Sequence, residues 1–270
     1  KAALPQEKVQ LALAGDLQAQ CTASSYAMRE LGVPFAGLFG ACSTMAEGLA
    51  LGAALCEGGA ARNLLAMASS HFCAAERQFR TPLSYGAVRT PTAQWTATAA
   101  GCCLLQPQGE GVGIAAATFG RVQDYQVKDI NNMGAAMAPA AASTLLHYFK
   151  DTGTEPQEFD CIYTGDLGQV GSQLLRELLA AEGLLIKNHV DCGCILFDAN
   201  EQSVKSGGSG PGCCAAVLCG HILPRLRRGS QKRVLFTATG ALMSQTTFLQ
   251  KETIPAVAHL VELRAPEKEK

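Results

Sequence analysis

The chain carries one pattern twice, about 150 residues apart. The run VQLALAGDL ends at Leu17 and the run FDCIYTGDL ends at Leu167; each is an apolar segment that stops at Gly-Asp-Leu and precedes a helix-like stretch. Each copy then enters a helix of small residues through a Gly-rich segment, around Cys42 and around Cys213. Such a repeat predicts two β-α-β units whose equivalent loops face each other across a pseudo-twofold axis. We expect a site at that axis, where Cys42 lies.

The composition fits a chain with a large buried core. Hydrophobic residues make up 48% of the 270 residues and charged residues only 17%, which favours helices packed closely through Ala and Gly. The net charge of −1 and the aromatic content of 6% do not indicate nucleic-acid binding. None of the 12 cysteines forms a C-x-x-C pair, so we predict no metal site and interpret most of them as reduced core residues.

Strands and helices alternate along the sequence, which predicts an α/β fold with mostly parallel central strands. The predicted strands cover 9–14, 34–38, 63–69, 99–106, 114–121, 161–163, a strand–turn–strand over 191–206, 233–238 and 256–263. The predicted helices cover 22–31, 43–56, 135–150, 172–182 and 213–226. Two sheets, flanked by helices and enclosing the two helices of small residues, make a five-layer α-β-α-β-α sandwich built from two duplicated halves. The apolar stretch 35–56 is interpreted as a central buried helix, since Glu47 and several Gly interrupt it.

The two copies are not equally long. A strand-like run and a helix-like run precede the second copy, and nothing equivalent precedes the first. A faithful repeat therefore predicts that the first half is incomplete at its N-terminus. We place the two halves at residues 1–110 and 111–270.

Cys42 lies in the segment FGACST, between a predicted strand and the buried helix. A helix N-terminus presents free N–H groups and a positive dipole end, which favour a thiolate or a bound anion. Gly40 and Ala41 allow a ligand to approach the backbone closely. We therefore interpret Cys42, with Ser43 beside it, as a site residue rather than one more buried structural cysteine.

The loops expected to face Cys42 do not supply the base that a cysteine nucleophile needs. One offers Asp166 rather than His, and the Gly-rich loop offers Gly208 and Ser209 rather than Asn or His. A complete Cys-His-Asn or Cys-His-His set cannot be assembled from these loops. The sequence thus predicts a pocket more strongly than it predicts catalysis.

The segment after the strand 63–69 carries His71, Arg77 and Arg80 on the same sheet edge as Cys42. Arginines at this place suit the capture of a carboxylate through paired hydrogen bonds. A solvated surface loop or a dimer contact is the equally weighted alternative. His71 and His259 are each either pocket residues or buried core histidines.

Several segments together resemble one family. They are GDL, FGACSTMAEGLALGAAL, SSHFCAAERQFRTPLSYG, MGAAMAPAAA, TGDLGQVGSQLL, SGGSG, ATGALMS and QKETIPAVAH. They are similar to the stage V sporulation protein AD family of spore-forming bacteria, which belongs to the thiolase-like superfamily and is related to ketoacyl synthase III. On this resemblance Cys42 matches the thiolase nucleophile, Asp166 stands where condensing enzymes have a His, and residues 207–209 stand where they have an Asn.

The resemblance implies a non-catalytic protein that binds dipicolinic acid (pyridine-2,6-dicarboxylic acid), free or as its calcium chelate. It implies a role in the uptake of calcium dipicolinate into the developing spore and in spore germination, without a cofactor. The backbone N–H groups near Cys42 are expected to bind one carboxylate, and Arg77 or Arg80 the other. The alternatives are an acyltransferase or β-ketoacyl condensing enzyme that uses Cys42 as nucleophile, and a docking partner of membrane proteins that binds no small molecule.

The resemblance also implies where and with what the protein works. It implies a homodimer, formed through the strand 63–69 and the segment beyond it, and contacts with other, membrane-embedded proteins of the same sporulation operon. It implies a position on the cytoplasmic side of the spore inner membrane, as a peripheral protein of the forespore.

Overall fold

The computed structural model describes residues 4–77 and 88–267, without the side chains of Gln20, Glu76 and Arg77. The strands of this part of the chain are β1 (Leu11–Gly15), β2 (Phe35–Gly37), β3 (Leu64–Ser70), β4 (Trp95–Thr96), β5 (Ala99–Leu105), β6 (Gly113–Thr118), β7 (Cys161–Gly165), β8 (His189–Asp191), β9 (Gly208–Ser209), β10 (Arg233–Ala241) and β11 (Ala256–Arg264). The helices are α1 (Thr22–Leu31), α2 (Thr44–Glu57), α3 (Phe72–Arg77), α4 (Met133–Thr152), α5 (Gly168–Ala181), α6 (Cys192–Leu196), α7 (Pro211–Val217), α8 (Leu223–Arg227) and α9 (Gln245–Leu249).

The larger strands form two sheets that repeat one topology. The first has the order β2-β1-β3-β5, in which β1 is parallel to β2 and β3 and only β5 is antiparallel to its neighbour. The second has the order β8-β7-β10-β11-β6, in which β7 is parallel to β8 and β10, and β11 is antiparallel to β10. Four strands of each sheet therefore share both order and direction, and β6 adds a fifth strand to the second sheet.

Helices lie outside and between the sheets. On the outer face of the first sheet α1 packs against β1 and β2, and on the outer face of the second sheet α4 packs against β10 and β11 and contacts α5. Between the sheets, α2 contacts β1, β3, β10 and β11, while α7 contacts β3, β5 and β7. These helices and sheets make five layers, which confirms the predicted α-β-α-β-α sandwich.

Small residues set the spacing of the middle layer. A Cβ added at Gly101, on β5, would lie 2.5 Å from the carbonyl oxygen of Ala215 on α7. A Cβ added at Gly165, at the end of β7, would lie 2.8 Å from the Cβ of Cys214. Real Cβ atoms do not approach this closely. Both sheets therefore require glycine where they meet α7, as the high content of Gly and Ala indicates.

The prediction of a strand–turn–strand over 191–206 is wrong. β8 ends at Asp191, whose carboxylate accepts the N–H of Gly193 at 2.9 Å and so caps α6. The apolar residues that follow belong to this short helix and to turns, not to a strand pair. The predicted helix 213–226 exists, but a π-helical turn (Leu218–Ile222) separates α7 from α8.

The structure also bears on the predicted halves and on the dimer strand. The predicted boundary at residue 110 falls between β5 and β6. β3 lies inside its sheet between β1 and β5, so its backbone offers no free edge for pairing with a strand of a second copy. Within residues 4–77 and 88–267, no helix combines the length and apolarity that crossing a bilayer demands.

A buried carboxylate on β11 connects this strand to α4 and β10 through hydrogen bonds. Glu262 is 2% exposed and accepts hydrogen bonds from the Tyr148 hydroxyl, from Arg233 Nε at 2.8 Å and from Arg264 Nε at 2.6 Å. Burial by itself would raise the pKa of Glu262, but the hydrogen bonds from these three side chains outweigh it and hold that pKa at about 2. Glu262 is therefore charged and fully partnered at neutral pH.

We expect Glu262→Gln to lower the free energy of unfolding at neutral pH by about 3 kcal/mol, because it leaves Arg233 without its buried counter-charge. The pKa of Glu262 is about 2 in the folded protein against an ordinary value of 4.5, so its carboxylate stabilises the native state above about pH 4.5. That contribution is lost as the pH falls from about 4.5 to about 2. Urea unfolding across this range should show the wild type and the variant converging in acid.

The matched control for this experiment is Glu158→Gln. Glu158 also pairs with Arg233, at 3.0 Å, but its side chain is 46% exposed, so its removal should change stability much less. A stability difference between the wild type and Glu262→Gln that stays constant down to about pH 2 would contradict the assignment.

Candidate functional site

The turn that carries Cys42 is tight and held by its own side chains. Residues Ala41–Ser43 form one turn of 3-10 helix directly before α2. Ala41 has a φ of 49°, a left-handed conformation that costs a non-glycine residue about 1 kcal/mol or more. The Ser43 hydroxyl donates to the carbonyl of Gly40 at 2.6 Å, and the Thr44 hydroxyl donates to that of Ala41 at 2.7 Å. These bonds fix the direction in which Cys42 leaves the backbone.

Cys42 is directed into the interior, towards loops of the second half. Its side chain is buried. Burial, and after it the charge of Asp166, raise the pKa of the Cys42 thiol far above its usual value, and the nearby Gly210 backbone and Ser209 side chain oppose this only in part. Cys42 is therefore a neutral thiol, without the activation of a catalytic cysteine.

Asp166 is the carboxyl group that lies close enough to Cys42 for its charge to act on that thiol. It has a φ of 68° and is completely buried. Its carboxyl group lies against the thiols of Cys213 and Cys214, which are weak donors, and neither oxygen makes a hydrogen bond of ordinary geometry within the described residues. Burial first, and then the charge of Asp191, raise the pKa of Asp166 well above its usual value. A carboxyl group in this state is neutral and can donate a hydrogen bond.

Asp191, rather than Asp166, accepts the hydrogen bonds of the backbone N–H groups at the start of α5. Its carboxylate accepts the backbone N–H of Leu167 at 3.0 Å and of Gly168 at 2.9 Å, and the Thr164 hydroxyl at 2.7 Å. Burial raises the pKa of Asp191 to about 6, although these hydrogen bonds lower it. The N–H groups at the start of α5 thus have their acceptor in Asp191. The Asp166 carboxyl group is not needed there and lies near Cys42.

In the first copy of the Gly-Asp-Leu motif the aspartate behaves differently. Asp16 accepts the backbone N–H groups of Gln18 and Ser24, each at 2.8 Å, and the Ser24 hydroxyl at 2.7 Å. It holds the start of α1 and has all its partners nearby. The same three-residue motif therefore has a structural role in one half and faces the candidate site in the other.

A small strand pair holds the Gly-rich loop in place. β4 pairs in parallel with β9, with Trp95 opposite Gly208 and Thr96 opposite Ser209. The Trp95 N–H donates to the carbonyl of Gly207 at 2.8 Å. β4 follows α3 in the first half and β9 belongs to the second, so this pair ties the two halves together beside Cys42.

Gln94 is a site residue that the sequence did not reveal. Its side-chain Nε2 donates to the backbone carbonyls of Asp166, at 2.5 Å, and of Gly208, at 3.2 Å. Its Oε1 is buried and has no partner within the described residues. A single glutamine in an irregular segment gives no periodic signal, and both partners are more than 70 residues away.

The predicted site residues divide into two groups. The structure brings together the turn of Cys42 and Ser43 with Asp166, Gly208 and Ser209. His71 is exposed just after β3, and Arg80 and the side chain of Arg77 lie outside the described residues.

An arginine of the same segment does lie beside the strand pair. The Arg89 guanidinium is 4.2 Å from the centre of the Trp95 ring, and its Nη1 donates to the carbonyl of Gln94 at 2.9 Å. The Phe72 ring stacks on that of Trp95, with the ring centres 4.9 Å apart, and its centre lies 5.5 Å from the Arg89 guanidinium. Phe72 and Arg89 therefore both pack against β4, which pairs with the strand that carries Ser209.

Of the two open alternatives for His259, the structure selects the core histidine. His259 is 8% exposed on β11 and its Nδ1 accepts the backbone N–H of Gly120 at 3.2 Å. Burial lowers the pKa of His259 to about 4. Within residues 4–77 and 88–267, no three His, Cys, Asp or Glu side chains are grouped closely enough to hold a metal ion.

Comparison with known proteins identifies the family. The model of the stage V sporulation protein AD family matches residues 1–264. Stage V sporulation protein AD of Bacillus subtilis (strain 168) is 43% identical over 257 residues, which are 95% of this chain and 76% of that protein. This chain belongs to the stage V sporulation protein AD family. It is a sporulation protein, and the resemblance seen in its sequence motifs is confirmed.

Solved structures of low sequence identity share the fold. The 3-oxoacyl-[acyl-carrier-protein] synthase III of Aquifex aeolicus VF5 matches with a TM-score of 0.60 at 14% identity, over 97% of this chain and 79% of that one. The tetronic acid condensing enzyme AbyA1 matches with a TM-score of 0.61 at 17% identity, over 97% and 81%. A variant of OleA from Xanthomonas campestris bound with cerulenin matches with a TM-score of 0.61 at 13% identity, over 97% and 75%. They establish the thiolase-like fold for this chain.

We expect Cys42 to react with iodoacetamide at neutral pH at least about tenfold more slowly than the exposed Cys73, because thiolate is the reactive form and burial raises the pKa of Cys42. Peptide mass spectrometry after timed labelling of the native protein measures both rates. Labelling of Cys42 as fast as that of Cys73 would show an activated nucleophile. Labelling in urea, where the two thiols should react alike, is the control for intrinsic reactivity.

Proposed function

We propose that this sporulation protein binds dipicolinic acid at the Cys42 site and serves the uptake of calcium dipicolinate into the developing spore, without catalysing a reaction. The observation that carries the proposal is the state of Asp166. It is a fully buried carboxyl group with a raised pKa that faces Cys42 and lacks an ordinary partner within the described residues. A neutral acid is a hydrogen-bond donor, and a carboxylate ligand supplies the acceptor that it lacks.

The groups around Cys42 are donors rather than bases. The Gly210 N–H, the Ser209 hydroxyl, the Cys42 thiol and the neutral Asp166 carboxyl group can each donate a hydrogen bond. Several donors that converge at a buried place favour a carboxylate oxygen over an uncharged group. The set suits one carboxylate of a planar dicarboxylate.

The second carboxylate needs a separate donor, for which we retain Arg77 and Arg80. The segment that holds them follows β3, whose last residue, Ser70, donates to the carbonyl of Ala97 at 2.7 Å and accepts the N–H of Gly212 at 3.1 Å. The segment therefore starts beside the loop that leads into α7. Guanidinium groups there match a carboxylate in charge and geometry. We extend the proposal to the calcium chelate, in which oxygens of the ligand itself hold the ion.

The alternative function is an acyltransferase or a β-ketoacyl condensing enzyme with Cys42 as nucleophile. It is favoured by the position of Cys42 just before α2 and by a fold shared with the synthases. The raised pKa of Cys42, and an acid rather than an imidazole opposite it, count against it. We rank this function second, and a docking role without a ligand third.

The assembly that we propose has two parts. We propose a homodimer and contacts with membrane-embedded proteins of the same operon, on the cytoplasmic side of the spore inner membrane. In the first sheet, β2 and β5 each pair with only one neighbour within the described residues, so either edge is open to a strand of a second copy.

We expect calorimetric titration with dipicolinate to show saturable binding, with and without calcium. Asp166→Ala, which removes the donor without adding volume, should weaken binding by about 10- to 100-fold, the usual cost of a lost hydrogen bond to a charged group. Asp166→Asn keeps a donor and should retain most of the affinity. Asp151→Asn, at an exposed place on α4, is the control, and equal affinity of all four proteins would contradict the proposed site.

We also expect Arg77→Ala combined with Arg80→Ala to weaken dipicolinate binding without unfolding the protein, because the second carboxylate loses its cationic partner. Arg121→Ala, at an exposed position, is the matched control. Fluorescence of Trp95, the single tryptophan, reports the same titration from beside Gly208. Unchanged affinity in the double variant would refute this assignment of the second carboxylate and leave that of the first in place.

The pH dependence of binding separates a neutral Asp166 from a charged one. Deprotonation of Asp166 would place a negative charge against the bound carboxylate, so affinity should fall as the pH rises through the raised pKa of Asp166. In Asp166→Asn the same pH range should have little effect.

If no protein binds dipicolinate, incubation with acyl-CoA followed by mass spectrometry tests the second function, with Cys42→Ser as control. An acyl adduct on Cys42 would support it.

A further inference from the structure

Two cysteines that the proposed function does not use lie side by side, far from each other in sequence. Cys103 is on β5 of the first sheet, and Cys219 is in the π-helical turn between α7 and α8. Their sulfur atoms are 3.9 Å apart. A disulfide needs about 2 Å, so the two side chains must move together by roughly that distance.

The surroundings favour a thiolate on one of the two sulfurs. The two sulfurs share a hydrogen bond in which either can be the donor. With Cys103 as the donor, this hydrogen bond lowers the pKa of Cys219 to about 7, although burial opposes it, and the charge of Arg227 adds to the lowering. The same hydrogen bond and burial raise the pKa of Cys103. One thiolate beside one thiol is the arrangement that thiol–disulfide exchange requires.

Access and flexibility distinguish this pair from the cysteines of the site. Both members are only half-buried, whereas Cys42, Cys213 and Cys214 are fully enclosed. The π-helical turn has a looser hydrogen-bond pattern than an α-helix, and such turns occur often at functional positions. The Cys219 side chain can therefore be reached by a small molecule and can adjust its position.

We propose that Cys103 and Cys219 form a reversible disulfide by exchange with a low-molecular-weight disulfide, R–S–S–R. The Cys219 thiolate attacks one sulfur of R–S–S–R, which releases RS⁻ and leaves a mixed disulfide on Cys219. Cys103 then gives up its proton to the released RS⁻, and its sulfur attacks that of Cys219, which releases a second RS⁻ that takes a proton from water. Two protein thiols are oxidised by two electrons, and one disulfide is reduced to two thiols.

The bond would link the first half to the second. The two cysteines are 116 residues apart in the chain, and a cross-link across so long a segment restricts the unfolded chain strongly. It would also tie β5 to the π-helical turn that follows α7. The oxidised protein should accordingly unfold at a higher urea concentration than the reduced one.

The experiment equilibrates the native full chain in buffers of graded oxidised-to-reduced glutathione ratio, blocks free thiols and maps peptides by mass spectrometry. We expect a cross-linked pair of peptides that joins Cys103 to Cys219 and has lost the mass of two hydrogen atoms, and the loss of two of the 12 alkylatable thiols. Dithiothreitol should restore both thiols. The urea midpoint should rise and fall with the cross-link.

Two variants keep the test specific. Cys219→Ala should abolish the cross-link and the shift of the urea midpoint. Cys102→Ala, at the exposed neighbour on β5, should leave both unchanged. Thiols at Cys103 and Cys219 that stay alkylatable at every ratio, stable glutathione adducts on either one, or a bond between Cys102 and Cys219 would each overturn the proposal, and the wild-type map decides among them even if a variant fails to fold.

Discussion

The close contact of two sheets with one shared layer of helices is the constraint on which this structure depends. α2 and α7 are packed between the sheets, and α7 touches both of them where glycine replaces a side chain, at Gly101 and Gly165. A larger residue at either place would push the sheets apart. The same contact brings the turn of Cys42 against loops of the second half. The low charge content and the abundance of Gly and Ala allow this layer to be buried and closely packed.

Burial at this layer also decides the chemistry of the site. A thiol and a carboxyl group that water cannot reach both lose the stabilisation of their charged forms, so Cys42 and Asp166 are held neutral. A condensing enzyme on the same fold needs a reactive thiolate and a base. Here the fold is retained while the groups opposite the cysteine are hydrogen-bond donors, which supports our proposal that the site recognises an anion.

The sequence predicted those parts of the structure that local patterns encode. The helix 22–31 and the entry of Cys42 into a buried helix follow from apolar periodicity and from glycines at the turn. β4 and β9 could not be predicted, since strands of two residues have no period and these two are more than 100 residues apart. The contacts of Gln94 could not be predicted either, because both of its partners are more than 70 residues away. The error over 191–206 has a local cause, because Asp191 caps a short helix where a strand was predicted. The site residues come together through tertiary packing. In a single sequence, only the repeated motif indicates that they do so.

The two Gly-Asp-Leu motifs have a consequence for how such a chain can vary. Asp16 still holds the helix that follows it, while Asp166 is released from this task because Asp191 supplies the acceptor instead. The effects of substitutions at residues 166 and 191 therefore depend on each other. The repeated motif places an aspartate before each of two helices. Only the first is needed there, because Asp191 accepts the N–H groups at the start of the second helix. Loss of Asp191 would leave the N–H groups of Leu167 and Gly168 without their acceptor. Asp166 would then be drawn back towards the start of α5, and the candidate site would change without a substitution at Cys42 or Asp166.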